Sequence, residues 1–226
     1  MLYPGDAFSL ASALFWAVRS RGAEDVSPPE EALRRGFNGW PLVEADDRAV
    51  GDVGFFNDWV KHSTRDAYWQ AIDGEDRART LQAPVLLMAG WFDPFLPGQL
   101  ADFVRIRRDA RADVAAATRL VIGPWGHAET VVLPGNLRNR NYRLESLAPS
   151  IPWFDRHLRS RDAGATSDAP VRLYVMGANT WRDEEEWPLA RARQTPWYLR
   201  SRGHANTAHG DGLLTKIGRA SCRERV

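Results

Sequence analysis

Residues 84–93 read Pro-Val-Leu-Leu-Met-Ala-Gly-Trp-Phe-Asp, a continuous apolar run that ends in an acid. A run of this kind is typical of a strand that is buried on both faces of a sheet. An amphipathic helix is predicted over residues 96–108, and residues 119–124 read Arg-Leu-Val-Ile-Gly-Pro, a second buried strand. Strand, helix and strand at this spacing predict a βαβ unit, and therefore two parallel strands within an α/β fold.

The chain before this unit is predicted to be helical. Residues 7–20 have high helix propensity and are apolar on nearly every side. Residues 28–31 read Pro-Pro-Glu-Glu, which suits the first turn of a second helix, because proline is tolerated there and acids favour the positive end of the helix dipole. A third helical stretch is predicted over residues 55–72. No strand pattern precedes residue 80, so residues 1–78 are predicted to form a helical unit.

The chain after the βαβ unit changes its pattern. Residues 151–159 predict another amphipathic helix, and a loop is predicted at 160–170. Residues 171–176 read Val-Arg-Leu-Tyr-Val-Met, an alternation typical of a half-exposed strand. Further short strands with turns between them are predicted at residues 197–199 and 213–214. This style is typical of the start of an all-β sandwich.

Composition excludes several classes of protein. Of the 226 residues, 44% are hydrophobic and 26% are charged, as in soluble globular proteins. The net charge of +1, with no basic stripe, argues against nucleic-acid binding, and no apolar run reaches the roughly 18 residues that span a bilayer. One cysteine, Cys222, excludes a disulfide framework and a cysteine-built zinc site. We expect no cofactor, no metal and no membrane partner. Among the cellular compartments, the cytoplasm is favoured. Composition does not predict the oligomeric state.

The last eleven residues have a different origin from the rest. Residues 216–226 read Lys-Ile-Gly-Arg-Ala-Ser-Cys-Arg-Glu-Arg-Val, which matches the translation of a common short-read sequencing adapter. The alternative interpretation is a basic, solvated tail. We interpret residues 216–226 as an artefact and exclude them from the fold prediction.

Two titratable residues follow the two predicted strands directly. Asp93 comes after the first strand and a Gly-Trp-Phe turn, and His127 comes after the second strand and Pro-Trp-Gly. Functional groups of open α/β sheets collect beyond the carboxyl ends of the strands, and an acid followed by a histidine there fits the back half of a Ser-Asp-His triad. Two alternatives stay open: Asp93 could cap a helix that has Pro94 at its first position, and His127 could be a hydrogen-bonded loop histidine.

Several motifs resemble those of the CocE/NonD (cocaine-esterase-like) and X-Pro dipeptidyl-peptidase serine hydrolases. Ala-Gly-Trp-Phe-Asp at 89–93 resembles the family's Gly-Gly-Trp-Tyr-Asp, and Gly-Pro-Trp-Gly-His at 123–127 resembles its Gly-Pro-Trp-(Ser/Gly)-His. The segment 153–158 is similar to the helix that follows in the family. Residues that resemble the end of its helical cap are Trp59, His62, Asp66, Tyr68 and Trp69, and those that resemble the start of its jelly roll are Val171 to Gly177, Trp181, Arg182, Trp187 and Pro188.

The resemblance implies a fold and an activity. Residues 1–78 would be part of a helical cap, 79–165 the C-terminal half of an α/β-hydrolase core, and 166–215 the truncated start of a jelly-roll sandwich. The parent protein would hydrolyse an ester, amide or peptide substrate through an acyl-enzyme, with Asp93 as the triad acid and His127 as the base. The family covers release of X-Pro dipeptides, ester cleavage and acylase activity toward β-lactam side chains, and nothing in the sequence selects among these.

The nucleophile of the family is not found in these 226 residues. It lies in Gly-x-Ser-Tyr-x-Gly ahead of the cap, and no serine here is flanked as Gly-x-Ser-x-Gly. We therefore expect the chain to be a C-terminal portion that is inactive by itself. The rival hypothesis is a non-catalytic binding module whose jelly roll recognises a ligand.

Other polar residues receive structural interpretations. His62 is interpreted as a structural residue of the cap, and His157 as structural because it has no metal-ligand partner at helical spacing. The acidic run 183–186 is interpreted as a solvated turn. His204 and His209 lie in a Gly- and Asn-containing loop and are expected to be exposed.

Overall fold

A four-stranded sheet follows a group of helices in the chain. The computed structural model describes residue 3 and residues 7–21, 29–127, 147–159 and 169–216. The predicted artefact is outside the described residues except for Lys216. The helices are α1 (Leu10–Ser20), α2 (Pro29–Phe37), α3 (Ala45–Val50), α4 (Gly54–Lys61), α5 (Ala67–Ile72), α6 (Leu96–Asp109), α7 (Ala112–Ala117) and α8 (Ser150–Arg159). The strands are β1 (Leu86–Phe92), β2 (Arg119–Gly126), β3 (Val171–Val175), β4 (Thr180–Glu184), β5 (Tyr198–Arg200) and β6 (Leu213–Thr215).

All the described elements before residue 80 are helical, as the sequence pattern predicted. Helices α1 to α4 bury one apolar cluster, in which α1 contributes residues spaced to lie on a single face, among them Leu14, and α4 contributes Phe56. The third predicted helix, over 55–72, is in fact two helices. It is interrupted because the Asp66 side chain accepts a hydrogen bond from Tyr68 N–H at 3.0 Å, which starts α5 anew.

The first strands and the helices between them form the predicted parallel unit. Strand β1 pairs with β2 in parallel, and the crossover runs through α6 and the short α7, which the sequence pattern did not reveal. The start of the pairing is fixed at Thr118, whose buried hydroxyl donates to the Val114 carbonyl at 2.9 Å and accepts from Val85 N–H at 3.2 Å. The mixed sheet has the order β1-β2-β3-β4.

Strand β3 lies beside β2 in this sheet, with Leu120 opposite Val171, whereas the sequence pattern had placed residues 171–176 at the opening of a separate sandwich. The acidic run 183–186 was predicted to be a solvated turn, and this is wrong for its first two residues. Asp183 and Glu184 lie in β4, an antiparallel strand that was not predicted, and the Glu184 side chain is only 8% exposed. Glu184 can be buried because Arg182 Nε lies 2.5 Å from its carboxylate, so the charge is paired.

The chain divides into two compact units, Met1–Trp187 and Pro188–Val226. In the described part of the second unit the strands β5 and β6 form a two-stranded antiparallel sheet. The Ser201 hydroxyl donates to Asp211 at 2.6 Å and orders the loop between these strands, in which His204 and His209 are exposed, as predicted. A complete jelly roll stays a prediction.

Candidate functional site

Asp93 and His127 lie next to each other beyond the carboxyl ends of β1 and β2. The Asp93 carboxylate Oδ2 is 3.2 Å from His127 Nδ1. An ionised carboxylate can only accept hydrogen bonds, so we assign the proton of this contact to Nδ1 of His127. The Asp93 side chain is 9% exposed and that of His127 is 55% exposed, so a shielded acid orients an accessible imidazole. We call this pair the Asp93–His127 dyad.

Asp93 has a local role in the turn before α6, but it does not cap that helix as the alternative interpretation predicted. Its Oδ1 accepts a hydrogen bond from Phe95 N–H at 2.8 Å, while Oδ2 contacts His127. Helix α6 begins three residues later at Leu96, and Phe95 occupies the capping position, so Asp93 forms a turn before the helix and is not its N-cap. The N-cap interpretation is therefore wrong, whereas the turn contact and the contact with His127 coexist because each uses a different carboxylate oxygen.

A register shift brings the two residues opposite each other. Gly90 pairs with Gly123, but Phe92 pairs with Gly126, so β2 has one residue more than β1 over this interval. With the earlier register, Asp93 would face Gly126 instead of His127. The shift is an irregularity of the β-bulge type, which re-aims side chains at strand ends.

Trp125 accounts for the glycines of both motifs. A Cβ on Gly90 would lie 1.9 Å from the Trp125 carbonyl oxygen, and a Cβ on Gly123 would lie 2.1 Å from the Trp125 ring. The bulged strand and the folded-back indole therefore occupy the space that any side chain would need at these two positions. Gly90 and Gly123 thereby permit the register on which the dyad depends.

Phe95 is a site residue that the sequence analysis missed. Its ring lies edge-on to the His127 imidazole, with centroids 4.8 Å apart. This contact restricts the rotation of the imidazole in addition to the contact with Asp93. The sequence offered one signal for Phe95: it lies two residues after Asp93, in the turn that connects β1 to α6.

His62 and His157, which were interpreted as structural residues, each pack against an aromatic ring. His62 Nδ1 is 2.5 Å from Asp66, and the imidazole stacks on Tyr68 with the centroids 4.4 Å apart. The hydrogen bond with His62 lowers the pKa of the Asp66 carboxyl, against a smaller opposing effect of desolvation. His157 packs on Trp153 at 4.5 Å, and burial, followed by nearby arginines, lowers its pKa.

Comparisons with known proteins place this geometry in a family. The family model for X-Pro dipeptidyl-peptidase (S15 family) matches residues 1–129, which include the whole Asp93–His127 dyad. The chain belongs to the S15 family. A second model, for the X-Pro dipeptidyl-peptidase C-terminal non-catalytic domain, matches residues 163–220. The resemblance of the motifs around Asp93 and His127 to this family is thereby confirmed.

A curated relative agrees with this assignment, and a solved structure shares the fold of the S15 chain. It is 37% identical over 163 residues to a cocaine esterase from Rhodococcus sp. (strain MB1 Bresler), an alignment that covers 69% of this chain and 27% of that protein. The crystal structure of an aminopeptidase from a marine sediment Thaumarchaeota archaeon superposes with a TM-score of 0.57 at 19% identity, covering 87% of this chain and 37% of that one. The chain thus spans about a quarter to a third of the length of these proteins.

Two further observations bear on what the S15 chain could bind. Within the described residues, no group of three or more His, Cys, Asp or Glu side chains could hold a metal ion. None of the described helices has the length and apolar character needed to cross a bilayer.

Proposed function

We propose that Asp93 and His127 are the acid and the base of a Ser-His-Asp triad in a hydrolase that cleaves ester or amide bonds. The single observation that carries this proposal is the 3.2 Å contact between Asp93 Oδ2 and His127 Nδ1 beyond adjacent parallel strands. Family membership supports it, because the family is named for a peptidase and a relative is an esterase.

The geometry defines what each group would do. With Nδ1–H donated to Asp93, the neutral imidazole presents Nε2 as the atom that accepts the proton of a serine hydroxyl. The serine oxygen attacks the carbonyl carbon, and the positive charge that forms on His127 is stabilised by the Asp93 carboxylate. His127 then returns the proton to the leaving alcohol or amine. Water hydrolyses the acyl-enzyme through the same base, which regenerates the serine.

The proposed nucleophile is a serine that these 226 residues do not contain. The sequence has no Gly-x-Ser-x-Gly, and the alignment covers only 27% of cocaine esterase. In the proposal the complete protein supplies this serine, and the chain alone is inactive. The proposed substrates are small esters, amides or peptides, whose acyl group is transferred to the serine.

A direct test is to assay the chain by itself. Purified protein is mixed with p-nitrophenyl acetate and, separately, with a fluorescent fluorophosphonate that labels activated serines. The proposal expects neither a burst of nitrophenol nor a labelled band. Stoichiometric labelling would show that a serine within the chain is the nucleophile, and would contradict the assignment of the missing residue.

A second test asks whether the dyad works when a nucleophile is present. The matching 163-residue segment of cocaine esterase is replaced by that of this chain, and hydrolysis of p-nitrophenyl acetate is measured. His127→Ala and Asp93→Asn should each lower kcat by about three to four orders of magnitude, as losses of triad members do. Asp102→Asn, which changes an exposed carboxylate on α6, should leave kcat unchanged. Activity that does not depend on His127 would contradict the triad assignment, and a folded but inactive exchange protein would favour the non-catalytic binding module.

A further inference from the structure

The two tryptophans that precede the dyad residues both contact the β3–β4 hairpin. Trp91 lies two residues before Asp93, and its indole Nε1 donates to the carbonyl oxygen of Tyr174 at 2.7 Å, across 83 positions of sequence. Trp125 lies two residues before His127, and its ring centroid is 5.9 Å from that of Trp181. The strand end that carries the acid and the strand end that carries the base are thus attached to the same hairpin.

The hairpin is built to hold these contacts. Tyr174 on β3 and Trp181 on β4 are direct cross-strand partners, and their rings meet edge to face with centroids 5.5 Å apart. The Arg172 guanidinium lies 5.5 Å from the centroid of the Trp181 ring on the same hairpin. Cross-strand aromatic pairs of this kind stabilise a hairpin and restrict its side chains.

The pairing of β1 with β2 is irregular just before the dyad. Regular pairing of β1 with β2 is interrupted between Gly90 and Phe92, which is the interval that contains Trp91 and faces Trp125. The ladder therefore fixes the strands only up to the irregularity and again at Phe92. Contacts of Trp91 and Trp125 with the hairpin are additional contacts that can fix the strand ends at this irregularity.

We propose that the β3–β4 hairpin is a positioning element for the Asp93–His127 dyad, acting through the Trp91–Tyr174 hydrogen bond and the Trp125–Trp181 contact. The hairpin lies within residues 163–220, which match the domain described for the family as non-catalytic. Its role in catalysis rests on the proposed function, but the geometric effect on the dyad does not. Trp91 and Trp181 are positioning residues and touch no reacting atom.

The test measures the dyad itself, in the full chain. Ring ¹⁵N and ¹H resonances of His127 are recorded at a pH where the imidazole is neutral, and are identified by their loss in His127→Gln. In the native chain they should report the tautomer protonated at Nδ1. Trp91→Phe removes one N–H and retains an aromatic ring, and Trp181→Leu removes the ring that contacts Trp125. In both variants the ring resonances of His127, its native signature, should change to those of a mixture of the Nδ1-protonated and Nε2-protonated tautomers.

Controls separate positioning from general loosening. Trp197→Phe, which changes an exposed tryptophan in the second unit, should leave the His127 signature unchanged. The resonances of His62, in the helical part of the chain, should be the same in all these variants. If Trp181→Leu does not fold, Trp91→Phe alone tests the proposal, because Trp91→Phe deletes only one hydrogen-bond donor.

Two outcomes would overturn the proposal. In one, His127 has its native signature in Trp91→Phe; in the other, His62 and His127 change together, which would indicate a general loss of packing. A different result would contradict the proposed function alone. If the hairpin variants alter the dyad but the exchange protein hydrolyses p-nitrophenyl acetate equally well without His127, the positioning inference stands and the triad assignment fails.

Discussion

Asp93 and His127 are separated by 34 positions in the sequence, and their side chains meet with Oδ2 and Nδ1 3.2 Å apart. The intervening chain is two helices and the second strand, so the contact is produced within one local βαβ unit. Parallel pairing brings both strand ends to the same edge of the sheet, and the register shift then aligns the acid with the base. The dyad is therefore a product of local topology.

The two oxygens of Asp93 have separable roles, which two substitutions can distinguish. Asp93→Asn can retain Oδ1 as the acceptor for Phe95 N–H, but its amide nitrogen cannot accept from Nδ1–H of His127. Asp93→Ala loses both bonds. We expect the alanine variant to be less stable than the asparagine variant by about 1 kcal/mol in urea unfolding, the usual net value of such a hydrogen bond.

The same pair of variants gives a second readout. In Asp93→Asn, the His127 ring nitrogens should report protonation at Nε2, because Nδ1 must then accept from the amide. Equal stability of the two variants would contradict the turn role of Oδ1. An unchanged tautomer in Asp93→Asn would contradict the role of Oδ2.

Gly90 should tolerate no side chain. Gly90→Ala places a methyl group against the Trp125 backbone, which cannot rotate away as a flexible side chain could. The expected loss in the free energy of unfolding is about 3 kcal/mol, at the upper end of overpacking effects, and β1 and β2 should separate near the dyad. The measurement is urea unfolding, together with the loss of the native His127 signature.

Gly98→Ala is the matched control for Gly90→Ala. Gly98 lies in α6, and a Cβ there meets no atom within 4 Å. This variant should be as stable as the native chain or more stable by up to about 1 kcal/mol, because alanine is the better helix former. Equal effects of the two substitutions would show that Trp125 has room to move.

The sequence was sufficient to predict the βαβ unit and the dyad because both depend on local patterns. The apolar runs and the acid and histidine that follow them lie in short windows of the sequence, whereas the register shift that aligns Asp93 with His127 was not predicted. The strand β4 was missed for a physical reason: Asp183 and Glu184 look solvated in sequence, and Glu184 is buried only because Arg182 pairs with it on the same strand. The contacts of Trp91 and Trp125 with the hairpin join residues far apart in sequence, and no periodicity signals such pairs.

Stability at acidic pH should depend on the His62–Asp66 pair. The folded state lowers the pKa of Asp66, mainly through the hydrogen bond with His62. The unfolded chain therefore binds more protons in the window just below the ordinary aspartate pKa of about 3.9, so this contribution is present above that value and is lost as the pH falls. Asp66→Asn should consequently weaken the decline in stability as the pH falls below about 4.

The check on Asp66 is a series of urea unfolding curves across this pH range. In Asp66→Asn the side-chain amide oxygen can still accept from Tyr68 N–H, so the start of α5 is preserved while the charge is removed. His62→Gln should weaken the decline in the same direction. Asp58→Asn changes an exposed position of α4, and its stability should depend on pH in the same way as that of the native chain. A native-like slope in Asp66→Asn would show that the pair does not contribute to acid unfolding.

The Thr118 hydroxyl should contribute more to the free energy of unfolding than the Thr118 methyl group does. It is fully buried, donates to the Val114 carbonyl at 2.9 Å, and accepts from Val85 N–H at 3.2 Å, just where the pairing of β1 and β2 begins. Thr118→Val keeps the shape and leaves the Val85 N–H without this acceptor, which should cost about 1–3 kcal/mol. Thr118→Ser keeps the hydroxyl and loses one methyl group, which should cost about 1 kcal/mol.

Urea unfolding should therefore rank the valine variant as less stable than the serine variant, and hydrogen exchange at the Val85 amide should accelerate only in the valine variant. A valine variant as stable as the native chain would mean that the Arg119–Val85 backbone hydrogen bond, at 2.9 Å, sets the register without the threonine.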